Sequence, residues 1–336
     1  MSNYLRLPLQ SVVILVVVLL STGLLLYGLL KIHSRIMNRV GPMYAGRFHG
    51  VGQPIAEFLK PIQKEDIVPD VADQPVFRLA PLVALLPAFL VFAVVPVAPG
   101  WVAADTDLGL FFVLAISAIG AIAIVMAAYA AQSKFTLLGG LRAVAQIIAY
   151  ELPVVLGAVS VAMIAGSLSL TKIVEAQKFP FVLWPYWDIH GPFKWALVFK
   201  LFPAGALAFA MFMIASFAEV MWNPFDMPAA ESEIVTGPLT EYSGMRFIFF
   251  YMSEFAHVVA LSAIGTLLFF GGWNGPILPP VFWFTGKVVA FGVFFIWVRF
   301  TLPRLREDQL QKLAWKLLVP LGLLNVLIVA VDKVAA

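Results

Sequence analysis

The feature that most constrains the fold is a series of long apolar runs separated by polar segments. A helix needs about 20 mostly apolar residues to cross the hydrocarbon of a membrane. The sequence therefore predicts an all-α integral membrane protein, a single transmembrane domain over residues 1–336 with eight transmembrane helices. The predicted spans are roughly Leu9–Leu30, Leu79–Val97, Leu108–Ala131, Ile147–Leu168, Trp195–Phe217, Phe247–Phe270, Pro279–Val298 and Leu313–Val331.

Composition narrows the chemistry that the chain can perform. The chain is 62% hydrophobic and 12% charged, whereas soluble domains carry about 25% charged residues. It has no cysteine, which excludes thiolate-ligated iron–sulfur clusters and disulfides. The four histidines are far apart in the sequence, without the spacing of a metal or haem site. We expect no metal, no flavin, no redox centre and no catalytic residue in this chain. The small net charge of +3 does not indicate a nucleic-acid surface.

The distribution of basic residues predicts the orientation in the membrane. Of the 22 Lys and Arg, fifteen fall in or beside the loops after spans 1, 3, 5 and 7. Cytoplasmic loops carry such an excess. We therefore expect a multi-pass protein of the bacterial inner membrane with both termini on the outer face. A loop over residues 31–78 and an acidic loop over residues 218–246 would then face the cytoplasm.

The first of these loops contains the segment VGQPIAEFLKPIQK, at residues 51–64. Its apolar residues recur at helical spacing, while Glu57, Lys60 and Lys64 occupy the other face. This pattern predicts a short amphipathic helix in the membrane interface. Such a helix can be a surface anchor, or the lip of an opening through which a lipid-soluble molecule enters.

Three carboxylates fall within or at the end of predicted spans. They are Glu151 in span 4, Glu219 at the end of span 5 and Glu254 in span 6. An acid at membrane depth costs at least about 2.5 kcal/mol and usually faces the bundle interior. One interpretation is a structural pair, such as Glu151 with Arg142; the other is a path for protons. A proton path, taken together with the charged loops and the expected lack of a redox centre, favours a membrane subunit that receives electrons from a partner and handles protons itself.

Four segments carry a resemblance to a known family. They are LLGGLRAVAQIIAYE, KEDIVP, NPFDMPAAESEIVTGPLTEYSGMRF and WVRFTLPRLREDQLQKLAWKLLVPLGLLN. In this order, from about residue 35 to 331, the chain resembles the quinone-chamber membrane subunit of proton-pumping NADH:quinone oxidoreductase, respiratory complex I. The resemblance implies that quinone is a substrate. It implies as partners the other membrane-arm subunits, the soluble iron–sulfur and quinone-site subunits, and membrane lipids.

The resemblance also implies roles for individual residues. Residues that match the family's quinone entrance and chamber are Arg39, Glu57, Lys60, Asp66, Phe225, Asp226, Glu231, Glu233, Tyr242 and Arg246. Residues that match the start of its proton path are Glu151, Glu219 and Glu254, and Arg142 lies in the same matched segment as Glu151.

The chain departs from the family pattern at several positions. The family usually has Glu-Arg where this chain has Leu29-Leu30, arginine at the position of Trp222 and glutamate at the position of Ala229. Two alternatives to the complex I assignment remain open in the sequence. One is the related ion-translocating subunit of a membrane-bound hydrogenase or formate-oxidising complex. The other is a stand-alone proton-coupled transporter, although the chain lacks the related halves that many transporters show.

Overall fold

A computed structural model describes residues 3–46, 48–177, 204–228 and 235–335. The described residues form helices joined by loops and one isolated β-bridge between Ala98 and Trp101. In chain order the helices are α1 (Asn3–Ile36), α2 (Gln53–Leu59), α3 (Gln74–Val94), α4 (Gly109–Ser117), α5 (Ile119–Ala130), α6 (Lys134–Ala165), α7 (Leu170–Ala176), α8 (Ala204–Glu219), α9 (Gly244–Phe269), α10 (Pro280–Thr301), α11 (Glu307–Lys312) and α12 (Val319–Ala335). A 3₁₀ turn (Lys60–Gln63) follows α2, another (Gly237–Leu239) precedes α9, and a π-helical turn (Leu313–Leu318) joins α11 to α12.

The all-α fold class is confirmed. Within the described residues, seven helical segments are long and apolar enough to cross a membrane, which makes this a multi-pass membrane protein. Two are composite, because α4 and α5 form one segment and α11 to α12 form another. The predicted fifth span, Trp195–Phe217, overlaps the shorter apolar helix α8, and its first part lies outside the described residues.

Helix α6 differs most from its predicted bounds. It begins at Lys134, thirteen residues before the predicted start of span 4 at Ile147. The sequence prediction placed the segment before Ile147 in a loop, but the helix includes this segment, LLGG with it, and packs closely against its neighbours. A Cβ added at Gly140 would lie 2.2 Å from the Ala128 Cβ, and one at Gly157 would lie 3.0 Å from the Ala208 carbonyl oxygen. Small residues let helices in a membrane approach closely. The longer helix places Glu151 near its middle.

Two sets of loops lie at opposite ends of the bundle. On the charged-loop side, defined by the described segments 37–46, 48–73, 131–133, 220–228, 235–243 and 302–306, Leu305 donates its N–H to the Pro224 carbonyl oxygen at 2.9 Å. On the opposite side, defined by the loops 95–108, 166–177 and 270–279, Gln177 donates to the Leu267 carbonyl oxygen at 2.8 Å. The sequence-predicted site residues that are described belong to the charged-loop side or to the adjoining part of α6, α8 and α9.

A short helix does form in the first loop. Helix α2 begins with Pro54 in its first turn, where proline is tolerated, and Pro61 lies in the 3₁₀ turn that follows. Pro54 is buried and Phe58 packs against the main core, whereas the side chains of Ile55, Leu59 and Ile62 are more than half exposed. The apolar stripe therefore points mostly away from the protein. Its position relative to a membrane remains a prediction.

Candidate functional site

Acidic and basic side chains meet beneath the charged-loop side, in a group that we call the inner cluster: Glu219, Trp222, Glu254, His257 and Arg299. The Glu254 Oε1 atom lies 3.7 Å from Arg299 Nη1, and Glu219 Oε1 lies 3.3 Å from His257 Nε2. Helix α9 supplies Glu254 and His257, which are three residues apart and therefore share one face. Helix α8 ends at Glu219, and Arg299 lies in the last turn of α10.

The burial of the inner cluster is uneven. The Glu219 side chain is 7% exposed and that of His257 is 24% exposed, while those of Glu254 and Arg299 are about one-third exposed in the isolated chain. The Glu219 Oε2 atom is buried without a hydrogen-bond donor among the described residues. A buried acid oxygen of this kind must be satisfied by water or by a proton, because leaving it bare is costly.

Trp222 contacts both Glu254 and Arg299. Its indole N–H donates to Glu254 Oε1. The guanidinium carbon of Arg299 lies 4.3 Å from the centroid of the indole ring, well within the distance of a cation–π interaction. At this position the sequence departs from the family pattern, and the structure gives the tryptophan contacts with both charged partners.

A second group joins the first loop to the acidic loop, and we call it the loop clasp: Asp66, Phe77, Tyr242, Ser243 and Arg246. Arg246 Nη1 lies 3.1 Å from Asp66 Oδ1. The Tyr242 ring stacks on the Phe77 ring at 4.0 Å, and Ser243 Oγ accepts the Ile67 N–H at 2.9 Å. Burial raises the pKa of the Tyr242 hydroxyl, so Tyr242 is neutral at physiological pH. Three predicted chamber residues (Asp66, Tyr242 and Arg246) are therefore neighbours.

The predicted entrance residues lie at the edge of this side. Glu57 of α2 accepts a hydrogen bond from Gln53 at 2.6 Å and one from Lys60 at 3.3 Å. Glu57 also acts electrostatically on Tyr251, which in turn interacts with Glu254 and Arg299. Arg39 is exposed, with its Nη2 atom 3.3 Å from the Met37 sulfur.

The remaining predicted residues have separate surroundings. Glu151 is close enough to Glu219 for their charges to interact. Arg142 Nε lies 3.6 Å from Glu307 Oε2, in α11. Phe225 is buried against Tyr150, and Asp226 acts electrostatically on Glu254. Glu231 and Glu233 lie outside the described residues.

Sequence reasoning missed two contributors and underestimated a third. In the sequence Arg299 counted only among the basic residues in or beside the loops, but the structure places it in the inner cluster. Tyr251 was not singled out. Gln146, also overlooked, donates both amide hydrogens at 2.7 Å, to the carbonyl oxygens of Ala218 and Phe225. The available signal was an uncharged polar residue inside an apolar run, which must find a partner when it is buried.

No group of three or more His, Cys, Asp or Glu residues that could hold a metal occurs in the described ranges. What the site offers instead is proton chemistry. Its carboxylates, imidazole and hydroxyl can take up and release protons, and its guanidinium can compensate negative charge nearby.

Comparison with known proteins connects this site to a family. The family model described as NADH dehydrogenase matches residues 9–330. The H subunit of the NADH-quinone oxidoreductase of Dehalococcoides mccartyi strain CBDB1 is 46% identical over 306 residues, which cover 91% of this chain and 81% of the relative. An H subunit of the same kind of enzyme from Syntrophobacter fumaroxidans is 41% identical, covering 97% and 96% of the two chains. The H subunit from Geobacillus kaustophilus is 40% identical, covering 91% and 89%.

Proposed function

Since the chain belongs to the NADH dehydrogenase family and is related to the H subunits of NADH-quinone oxidoreductases, we propose that it forms the quinone entrance and part of the quinone chamber, and begins a proton path. Its place is the membrane arm of complex I, where soluble iron–sulfur and quinone-site subunits dock on the charged-loop side. The electrons come from those partners, and this chain supplies the apolar passage and the ionisable lining.

The entrance is proposed at α2. Three exposed apolar side chains, Ile55, Leu59 and Ile62, give this segment a surface suited to the membrane interface. Glu57 and Lys60 form an ion pair of 3.3 Å on the same segment. A quinone has a long apolar tail and a polar head, so a lip with apolar and charged residues matches both parts. The loop clasp lies further along the charged-loop side and would border the chamber.

The observation that carries the proposal is the presence of two acid–base pairs beneath the charged-loop side, Glu254 with Arg299 at 3.7 Å and Glu219 with His257 at 3.3 Å. Reduction of a quinone to a quinol consumes two electrons and two protons. Negative charge that develops near the entrance would act on the inner cluster, because charges interact strongly where water is scarce. Glu254 and Glu219 can respond by taking up protons, with Arg299 and His257 as their basic partners. Glu151, which interacts with Glu219, would extend the path into the bundle.

The proposal is tested by the variants Glu254→Gln and Glu219→Gln in the assembled complex. We expect quinone-dependent turnover and proton pumping to fall by roughly tenfold or more, because a positioned proton-transfer group commonly contributes 10²–10⁴-fold. Asp105→Asn, an acid on the opposite side of the bundle, serves as the matched control and should behave as wild type. Full turnover and pumping in both glutamine variants would refute the proton path.

A direct assay separates the related functions. The purified complex should reduce a short-chain quinone analogue. Iron–sulfur proteins should co-purify with this chain. Hydrogen evolution without quinone reduction would favour the hydrogenase-type alternative. An active chain that purifies alone would favour the transporter.

A further inference from the structure

Trp222 occupies an unusual position between two groups of opposite charge. It lies in the segment 220–228 that follows α8, and it is 2% exposed. The N–H at its edge donates to Glu254, its face supports Arg299, and Phe255 packs against the ring at 5.7 Å. Such a large buried residue could simply fill space, but space filling does not require contacts with both members of an ion pair.

The geometry of the Glu254–Arg299 pair shows the effect of this residue. Both the indole N–H and the Arg299 Nη1 atom approach the same carboxylate oxygen, Oε1. The indole makes the hydrogen bond, and Nη1 stays 3.7 Å away, beyond the 2.7–3.2 Å at which N–H donors bond to oxygen. Among the described residues Nη1 has no hydrogen-bond acceptor. The arginine is therefore close enough to feel the carboxylate, but it is not bonded to it.

We propose that Trp222 is a positioning residue that holds Glu254 and Arg299 as a separated ion pair, so that Glu254 can change its protonation state without displacing Arg299. The proposal rests on the proposed function of Glu254 in the proton path. It explains how Glu254 can exchange a proton beside an arginine, and it gives that role to Trp222, which is not among the predicted site residues.

The physical reason is that Glu254 and Arg299 each keep their contact with Trp222 in both protonation states. When Glu254 is ionised, it accepts the indole hydrogen bond and faces the guanidinium. When Glu254 is protonated, its remaining oxygen still accepts from the indole, and Arg299 retains the cation–π interaction, which does not depend on the carboxylate. A direct arginine–carboxylate hydrogen bond would instead hold the acid ionised, because an opposite charge in contact with a carboxylate favours its charged form.

Other charged and titratable groups surround the Glu254–Arg299 pair and interact with it electrostatically. Arg299 and Asp226 act electrostatically on Glu254, and Glu254 and Arg299 act on Tyr251. Glu57 acts on Tyr251, and on the next turn of α9 His257 is engaged with Glu219. The Trp222 variants below leave all these groups in place, so a change in pH dependence reports on the indole hydrogen bond to Glu254 and on the position of Arg299 relative to Glu254.

The test is the pH profile of quinone reduction in the assembled complex carrying Trp222→Phe. Phenylalanine keeps an aromatic face but removes the N–H, so Arg299 can close on the carboxylate. The lost hydrogen bond from the uncharged indole and the gained contact with the guanidinium act in opposite senses, and the second is the stronger because both of its partners are charged. We expect the acid limb of the profile to move to lower pH by about one unit, the smallest shift usual for a carboxylate beside arginine. An unchanged limb, or a move to higher pH, would overturn the proposal.

The controls separate positioning from packing. Trp315→Phe removes an indole N–H that is bonded to Gln311 at 3.1 Å on an exposed face, and the profile should stay unchanged. Trp222→Tyr restores a donor and should reverse at least half of the shift. If Trp222→Phe does not assemble, Arg299→Lys provides the test. Lysine keeps the charge but lacks the flat group that stacks on the indole, and the limb should again move to lower pH; a profile like that of wild type would overturn the proposal.

The double variant Trp222→Phe with Glu254→Gln distinguishes the two levels of the argument. It should have the same profile as Glu254→Gln alone, because Trp222 acts through the acid. A further shift in the double variant would contradict this inference. If Glu254→Gln alone has full activity, the proposed function fails. If that variant is impaired while Trp222→Phe matches wild type, only the role of Trp222 fails.

Discussion

The ion pairs Arg299–Glu254 and Lys172–Asp107 lie on opposite sides of the bundle, and the pair with the shorter distance is the more exposed one. The outer pair, Lys172–Asp107, is short at 2.7 Å, but its side chains are 60% and 84% exposed. The inner pair is longer at 3.7 Å, with side chains 30% and 31% exposed. Water screens an exposed pair, so its contribution is small however short the distance is. Exposure therefore indicates better than distance which pair matters.

The largest expected difference comes from removing the base of each pair. Arg299→Gln removes the positive charge beside Glu254 and the stack on Trp222. We expect quinone-dependent turnover per assembled complex to fall about tenfold, equivalent to about 1.4 kcal/mol. Lys172→Gln should leave turnover within experimental error of wild type. Similar losses in the two variants would show that exposure does not distinguish the pairs.

An intermediate effect is expected at the loop clasp, where Arg246 is mostly buried and Asp66 is about one-third exposed. Arg246→Ala removes the 3.1 Å ion pair and the contact of the guanidinium with the Phe77 ring, whose centroid is 5.7 Å away. Loss of about 1 kcal/mol of local stability should accelerate amide hydrogen exchange roughly fivefold in residues 64–77. Arg78→Ala is the matched control, because Arg78 makes an exposed 3.4 Å contact with Gln74. Equal exchange in the two variants would contradict a stabilising clasp.

The smallest effect is expected at the outer pair, where it appears only as a dependence on pH. Lys172 donates to Asp107 and lowers the pKa of that carboxyl. A group whose pKa is depressed by folding stabilises the fold above its unfolded pKa, and the contribution disappears as the pH falls through the folded value. Asp107→Asn should therefore slightly accelerate hydrogen exchange in α7 at pH 7, and the difference from wild type should vanish at strongly acidic pH. A difference that persists there would assign the effect to something other than this charge pair.

The fold could largely be predicted from the sequence because lipid leaves few choices. Backbone groups in hydrocarbon must be bonded internally, so long apolar runs become helices. Their ends were less predictable. The sequence predicted that span 4 begins at Ile147, yet α6 begins at Lys134, and its Gly139 and Gly140 pack closely against neighbouring segments. Arg142 does not end α6, because its charge lies 3.6 Å from that of Glu307 in another helix.

The sequence predicted which residues belong to the candidate site better than it predicted which of them contact each other. The resemblance pointed to Glu219, Glu254 and Arg246, and the structure adds their partners. The sequence suggested Glu151 as a partner of Arg142, whereas the structure gives a contact of Arg142 with Glu307 and an interaction of Glu151 with Glu219. Trp222 was visible only as a departure from a pattern, because nothing in a linear sequence shows which charged residues will lie against its ring.

The sequence by itself determined that this chain is a helical membrane protein, that its charges concentrate in the loops of one side, and that it belongs with the membrane subunits of a quinone oxidoreductase. These properties follow from composition and order, which act locally along the chain. The tertiary structure alone decided that Arg299 stacks on Trp222, that Glu254 is bonded to an indole rather than to a guanidinium, and that Asp66 meets Arg246. Those contacts join residues from separate helices and loops, and the packing of the bundle sets their distances.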